Sequence, residues 1–171
     1  MYCMNTVLIL FLVSIASFIF DAKIVALTPM LHHPILTVFF LVITKLEIVA
    51  AGLIFASLIK KKNTLPLWST VGISYLCIHI LKLLIQRPRP EILPLLQATS
   101  FSFPSGHAAV VFAALPFLNS PYWLIFAVLV SFSRIYLGVH YLSDVLFGAL
   151  IGYFIGLLIK KKWRTWFQHL K

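Results

Sequence analysis

Six blocks of nearly uninterrupted apolar residues, at 5–20, 35–59, 67–86, 105–118, 121–139 and 141–159, constrain this chain more than any other feature. Most approach the ~17–25 residues that carry a helix across a bilayer, the first and fourth being short. In lipid only helices or closed barrels satisfy their own backbone, and these blocks are continuous where barrel strands would alternate. The expected fold is therefore all-α: a bundle of six transmembrane helices forming a single integral membrane domain over residues 1–171. Prolines at 29, 34, 66, 88, 90, 94, 104 and 121 fall in or beside the breaks, and Pro116 is expected to help terminate the fourth block.

Composition agrees, with 61% hydrophobic and 11% charged residues. A soluble domain carries about 45–50% apolar and about 25% charged residues. The N-terminus lacks the basic region and small-residue cleavage site of a removable signal, so the first block reads as a retained span. Cys3 and Cys77 lie in or beside apolar runs and read as small buried hydrophobes outside any disulfide framework.

A net charge of +10 could suggest nucleic acid, but its placement argues against that partner. Much of the excess is "KKK" at 60–62 and "KKKWR" at 160–164, each directly after an apolar block. Basic runs so placed are membrane-edge anchors that favour the cytoplasmic side. They follow the second and sixth blocks, so both termini are expected in the cytoplasm of a multi-pass cell-membrane protein. The junctions 1–2, 3–4 and 5–6 then lie on the outer face.

Those outer junctions hold the chemistry. "KLLIQRPRP" supplies Lys82, Arg87 and Arg89; "PSGH" supplies Ser105, Gly106 and His107; "SRIYLGVHYLSD" supplies Arg134, His140 and Asp144. The cations Lys82, Arg89 and Arg134 have too few acids to neutralise them, and arginine forks with a lysine suit phosphate. Pro104 leads into a helix whose first turn would present the Ser105 and Gly106 backbone N–H groups to an anion. His140 and Asp144, four apart, would share a helix face. The carboxylate then fixes one imidazole nitrogen and leaves the other as nucleophile. His107, on another helix, could serve as general acid. Positioning and positive charge are what phosphoryl transfer chiefly requires, and they ask for no metal or other cofactor.

The three segments resemble the motifs K-x6-R-P, P-S-G-H and S-R-x5-H-x3-D of the type 2 phosphatidic acid phosphatase (PAP2) superfamily. Every defining position is filled. The resemblance implies that Lys82, Arg89, Ser105, Gly106 and Arg134 hold phosphate, and that His107 protonates the leaving oxygen. It also implies that His140 attacks phosphorus, that Asp144 orients it, and that water hydrolyses the phosphohistidine. Soluble haloperoxidases share the family core, but the apolar blocks argue against that branch. The expected activity is hydrolysis of a lipid phosphate or diphosphate, with undecaprenyl diphosphate as the leading substrate. Phosphatidic acid, phosphatidylglycerol phosphate and lipid A phosphates are alternatives, as are phosphotransfer and a lipid-phosphate binder or transporter without turnover.

Other residues have more than one reading. Lys45 and Glu47 interrupt the second block and either line a headgroup pocket or form a local ion pair or sit at the membrane interface. Gly148, Gly152 and Gly156 recur every four residues, for packing within the bundle or for a homodimer seam. His32 and His33 either flank the entrance or are solvated, and His79 either shares a face with Lys82 or packs in the core. Tyr136 and Tyr141 read as interface aromatics. Arg87 stays unassigned, with headgroup contact one option.

Overall fold

The computed structural model describes residues 2–61 and 64–169. Eight α-helices fill it in chain order: α1 (Tyr2–Ala16), α2 (Asp21–Leu27), α3 (Pro34–Ile43), α4 (Leu46–Ile59), α5 (Thr64–Ile85), α6 (Gly106–Leu118), α7 (Pro121–Tyr136) and α8 (Leu142–His169). Short 3-10 turns at Ser17–Phe20 and Thr28–Leu31 join and extend α2. The described residues contain no strand.

Local sequence explains several boundaries. Pro34 and Pro121 each open a helix, where the missing N–H costs nothing and the ring presets the turn. Ser120 caps α7 by accepting from the Trp123 N–H at 3.4 Å. Asn119 closes α6 in the left-handed conformation, φ 44°. Pro116 lies inside the last turn of α6 without ending it. The Pro116 carbonyl, left over at that helix end, accepts from Lys160 Nζ.

The expectation of six continuous spans needs correction. Phe11–Leu31, Thr64–Ile85 and Leu142–Trp166 are long and apolar enough to cross a membrane singly. The first of them runs eleven residues past the end of its apolar block. The second block is broken at Thr44–Lys45, where α3 and α4 meet at 56°, and counts as a fourth span only if the bent pair is taken together. Helices α6 and α7 have 13 and 16 residues, short for a bilayer. For α6 the reason is burial. Ala108, Ala109, Val111, Ala113 and Ala114 have no exposed surface, so protein surrounds it where lipid was expected. The outer faces of α3, α4 and α5 remain studded with exposed Leu, Ile, Val and Phe, the covering a lipid environment requires.

Helix α8 packs on α6 through its glycines. A Cβ at Gly148 would lie 2.3 Å from the Ser105 carbonyl oxygen; at Gly152, 2.0 Å from that of Ala109; and at Gly156, 2.6 Å from that of Ala113. Only hydrogen fits at these positions. The same contacts give Gly148, Gly152 and Gly156 the packing role within the bundle, against α6 of the same chain.

Candidate active site

The site forms where the N-terminus of α6 meets the loop 86–105 and the turn between α7 and α8. That turn depends on Gly138, at φ +71°, where a Cβ would stand 3.0 Å from Pro94 Cα. Leu95 N–H donates to the Leu137 carbonyl at 3.0 Å and ties the long loop to the turn. Ser102 completes the fold-back: its N–H reaches the Arg87 carbonyl at 2.9 Å and its hydroxyl the Pro88 carbonyl at 2.8 Å.

His140 lies in the turn ahead of α8, so the expected placement of His140 and Asp144 on one helix face is incorrect. The pair meets regardless. His140 Nδ1 is 3.4 Å from Asp144 Oδ2, a close approach in which the buried Nδ1 makes no hydrogen bond among the described residues. Asp144, with no exposed surface, stands in the first turn of α8 and accepts the Tyr141 N–H on Oδ2 at 2.9 Å. That is half of a capping box, and it pins the carboxylate beside the imidazole.

Arg89 approaches His140 from the other side. Its Nη1 is 3.3 Å from His140 Nε2 and donates to the Val139 carbonyl at 2.5 Å, while Nε donates to the Ser100 carbonyl at 2.6 Å. Lys82, 7% exposed at the end of α5, donates to the carbonyls of Phe101 and Ser102. One loop segment, 100–102, thereby aims both cations. Burial first, and then the charges of Arg89, Arg134 and Lys82, hold the His140 imidazole well below the usual histidine range, opposed by the Ser102 backbone. Burial also lowers the Arg89 guanidinium, with Asp144 acting against it.

His107 and Arg134 share an anchor that the sequence did not reveal. The Thr44 carbonyl takes His107 Nε2 at 3.0 Å, and the Thr44 hydroxyl accepts from Arg134 Nη1 at 2.7 Å. The break between α3 and α4 thus frees one residue to hold two site groups. Arg134 Nε and Ser105 Oγ are buried with no hydrogen-bond partner among the described residues, the condition a bound oxyanion would relieve. The Ser105 backbone N–H is not free as expected. It donates to the Asp144 carbonyl at 2.9 Å, because Ser105 is the N-cap and α6 begins at Gly106.

All eight residues expected from the sequence therefore fall at one end of α6: Lys82, Arg89, Ser105, Gly106, His107, Arg134, His140 and Asp144. Beside them a cavity of about 480 Å³ is lined by Leu41, Thr44, Lys45, Gln97, His107 and Arg134, among others. Lys45 reaches it as the N-cap of α4; Glu47 is exposed in the next turn and is not among the lining residues.

The remaining expectations resolve variously. Tyr136 is buried, not interfacial: its hydroxyl accepts from the His33 N–H at 2.8 Å, and its carbonyl meets His32 Nε2 at 3.0 Å. His79 is exposed and stacks on Tyr75, with ring centroids 4.2 Å apart, so it does not pack in the core. Tyr141 covers the Arg87 guanidinium at 4.0 Å. Cys77 is a half-buried free thiol, and the Cys3 side chain lies outside the described residues.

Comparison with known proteins gives the site its setting. The model of the PAP2 superfamily matches residues 63–168. Phosphatidylglycerophosphatase B of Bacillus subtilis (strain 168) is 38% identical over 130 residues, which make up 66% of this chain and 63% of that protein. Undecaprenyl-diphosphatase of Sulfolobus acidocaldarius is 48% identical over 67 residues, 35% of this chain and 32% of that protein. The chain thus matches less than two thirds of the length of either relative. Among solved structures, a transmembrane PAP2-type phosphatidylglycerolphosphate phosphatase from Bacillus subtilis superposes with a TM-score of 0.80 at 26% identity, covering 96% of this chain and 98% of that one. The crystal structure of Aquifex aeolicus LpxE gives 0.71 at 30% identity, over 82% and 94%. This chain belongs to the PAP2 superfamily.

Proposed function

We propose that this PAP2-superfamily chain is a metal-independent lipid phosphatase that works through a phosphohistidine at His140. One observation carries the reading: a buried imidazole stands between a carboxylate at 3.4 Å and a guanidinium at 3.3 Å. Asp144 favours a proton on Nδ1, which leaves the Nε2 lone pair facing the cationic hollow.

In the first step Nε2 bonds to phosphorus as the P–O bond to the lipid breaks. Burial and Arg134 otherwise hold His107 neutral; once phosphate brings negative charge into the hollow, His107 carries the proton that it gives to the leaving oxygen. Lys82, Arg89 and Arg134, with the Ser105 hydroxyl and Gly106 N–H, balance the charge on the three non-bridging oxygens. The imidazole becomes cationic and Asp144 stabilises it. His107, now neutral, takes a proton from water. The water oxygen bonds to phosphorus, the N–P bond breaks, and phosphate leaves.

The substrate class is a phosphate or terminal diphosphate on a membrane lipid. Phosphatidylglycerol phosphate comes first for testing, because the Bacillus structure superposes on nearly the whole chain. Undecaprenyl diphosphate is the second reading, supported by the shorter and more identical Sulfolobus segment. The cavity at Thr44, Lys45 and Gln97 lies beside His107 and Arg134, where the rest of the headgroup would sit.

The site faces outward in this reading. Lys160 meets the C-terminal end of α6, and Lys60 shares a cavity with Leu118 at that same end. Both basic anchors therefore lie opposite the N-terminal end of α6, which carries the site, and basic anchors favour the cytoplasm.

Phosphate release from a lipid panel by purified chain in chelator, beside H140A, tests the proposal. Release that persists in chelator and vanishes in H140A is expected. Loss of wild-type activity in chelator, restored by added metal, would overturn metal independence. Lipid binding without turnover would overturn the enzyme reading.

A further inference from the structure

Asp21 belongs to none of the three motifs and precedes the segment 63–168 that matches the family. It lies within the candidate span Phe11–Leu31 and is 4% exposed. A buried carboxylate inside a span is costly unless paired, and such residues mark functional sites by default. Asp21 is paired at every turn. Its Oδ2 accepts from Arg87 Nη2 at 2.8 Å and from the Ser143 hydroxyl at 2.5 Å, and its Oδ1 accepts the Ser143 N–H at 2.9 Å.

Arg87 carries the connection onward. Its Nη1 donates to Asp144 Oδ1 at 2.7 Å and to Ser143 Oγ at 2.7 Å, while Tyr141 and Phe18 cover the guanidinium at 4.0 and 5.1 Å. The result is a line of groups: Asp21, Arg87, Asp144, His140. Asp144 turns one oxygen to Arg87 and the other to His140.

Charge along this line decides what it can do. One guanidinium on one carboxylate would leave Asp144 with little net charge to offer His140. One guanidinium shared by two carboxylates leaves the trio at −1. We infer that Asp21 is a charge-balancing positioning residue: by taking half of the Arg87 guanidinium, it keeps Asp144 fixed yet still negative toward His140 Nδ1. That charge is needed when His140 becomes cationic on bonding phosphorus, so the inference rests on His140 being the nucleophile. The other groups facing the imidazole are cations or a second histidine: Lys82 from α5, Arg89 from the following loop, His107 from α6 and Arg134 from α7. Asp144, backed by Asp21, is the acidic counterweight.

The test uses the full chain in nanodiscs, comparing D21N, R87Q and the double variant by kcat, KM and the pH profile of kcat/KM. Asparagine keeps the shape of Asp21 and an acceptor for the Ser143 N–H. D21N is expected to lower kcat by about 10–100-fold with KM little changed, since Asp21 does not touch phosphate. Removing a negative charge disfavours protonated His140, so the acid limb moves down by about half to one pH unit. R87Q removes a positive charge and moves the limb up. The double variant restores the wild-type sum and returns the limb toward its original position.

If Asp21 only docks α2, D21N lowers the yield of folded protein while the limb stays in place, and the inference fails. It also fails if the double variant leaves the limb where D21N put it. H140A and acid-quench trapping of labelled phosphate separate this from failure of the mechanism. A wild type without trappable phosphohistidine, or an active H140A, would bring down the nucleophile assignment itself.

Discussion

Arg89 Nη1 stands 3.3 Å from His140 Nε2, two nominal bases end to end across the hollow. Arginine has protons to donate and no lone pair to accept one. Where His140 Nε2 accepts that bond, the imidazole is neutral and its proton sits on Nδ1, the side of Asp144. In the proposed mechanism the guanidinium that receives phosphate would also keep His140 unprotonated until phosphate arrives.

The first prediction concerns pH. Burial, Arg89, Arg134 and Lys82 hold the His140 value well below the ordinary 6.5, so the active neutral form persists into acid. The acid limb of kcat/KM, corrected for the titration of the substrate, is expected below pH 6.5. R89Q removes a positive charge and should move the limb upward while raising KM. A wild-type limb at or above 6.5 would contradict the arrangement.

The two histidines should separate by leaving group. H140A should reduce phosphate release by at least about a thousandfold and abolish acid-trappable phosphoenzyme. H107N should slow turnover of an alkyl phosphate by about 10²–10⁴-fold. With p-nitrophenyl phosphate, whose leaving group needs no proton, the H107N defect should shrink markedly. Equal losses on both substrates would remove His107 from the acid role.

Thr44 can be dissected because its two contacts use different atoms. T44V keeps the carbonyl that holds His107 and removes the hydroxyl that accepts from Arg134. A buried guanidinium without its acceptor costs about 1–3 kcal/mol, read here as a KM rise of about fivefold or more. T44S should restore wild-type values. If T44V keeps the wild-type KM while T44S does not, the methyl group and not the hydroxyl matters.

The glycines of α8 give a stability test. A methyl at Gly152 meets the Ala109 carbonyl at 2.0 Å, so G152A should lose at least about 1–3 kcal/mol as the helices are forced apart. Gly72 on α5 has nothing within 4 Å of its Cβ position, and G72A should gain about 0.5–1 kcal/mol from helix propensity. Thermal unfolding in one detergent compares the two directly.

The expected site was legible because its residues are of unusual type for an oily chain and fall in short, fixed spacings. What escaped was whatever depends on long-range approach. Asp21 meets Ser143 across 122 residues, and Thr44 meets Arg134 across 90. A threonine in an apolar run carries no signal of its own. Asp21 did carry one, as one of only 4 acidic residues, set inside what becomes the first span. The apolar block ends at residue 20, one short of it. Helix spacing misled for His140 and Asp144, since a positive-φ glycine two residues earlier keeps the histidine outside the helix. Burial misled for Tyr136, whose aromatic character suits a membrane interface and a packed core equally.

The glycine ladder has a mechanical side. Helices α6 and α8 touch backbone to backbone over three successive turns, so the wall they form behind the hollow has no slack to open. The opposite wall is the kinked pair α3–α4, holding the site through one threonine and bordering the cavity with Leu41 and Lys45. Any widening of the hollow would therefore fall to the α3–α4 side, tied to the site through the two bonds of Thr44.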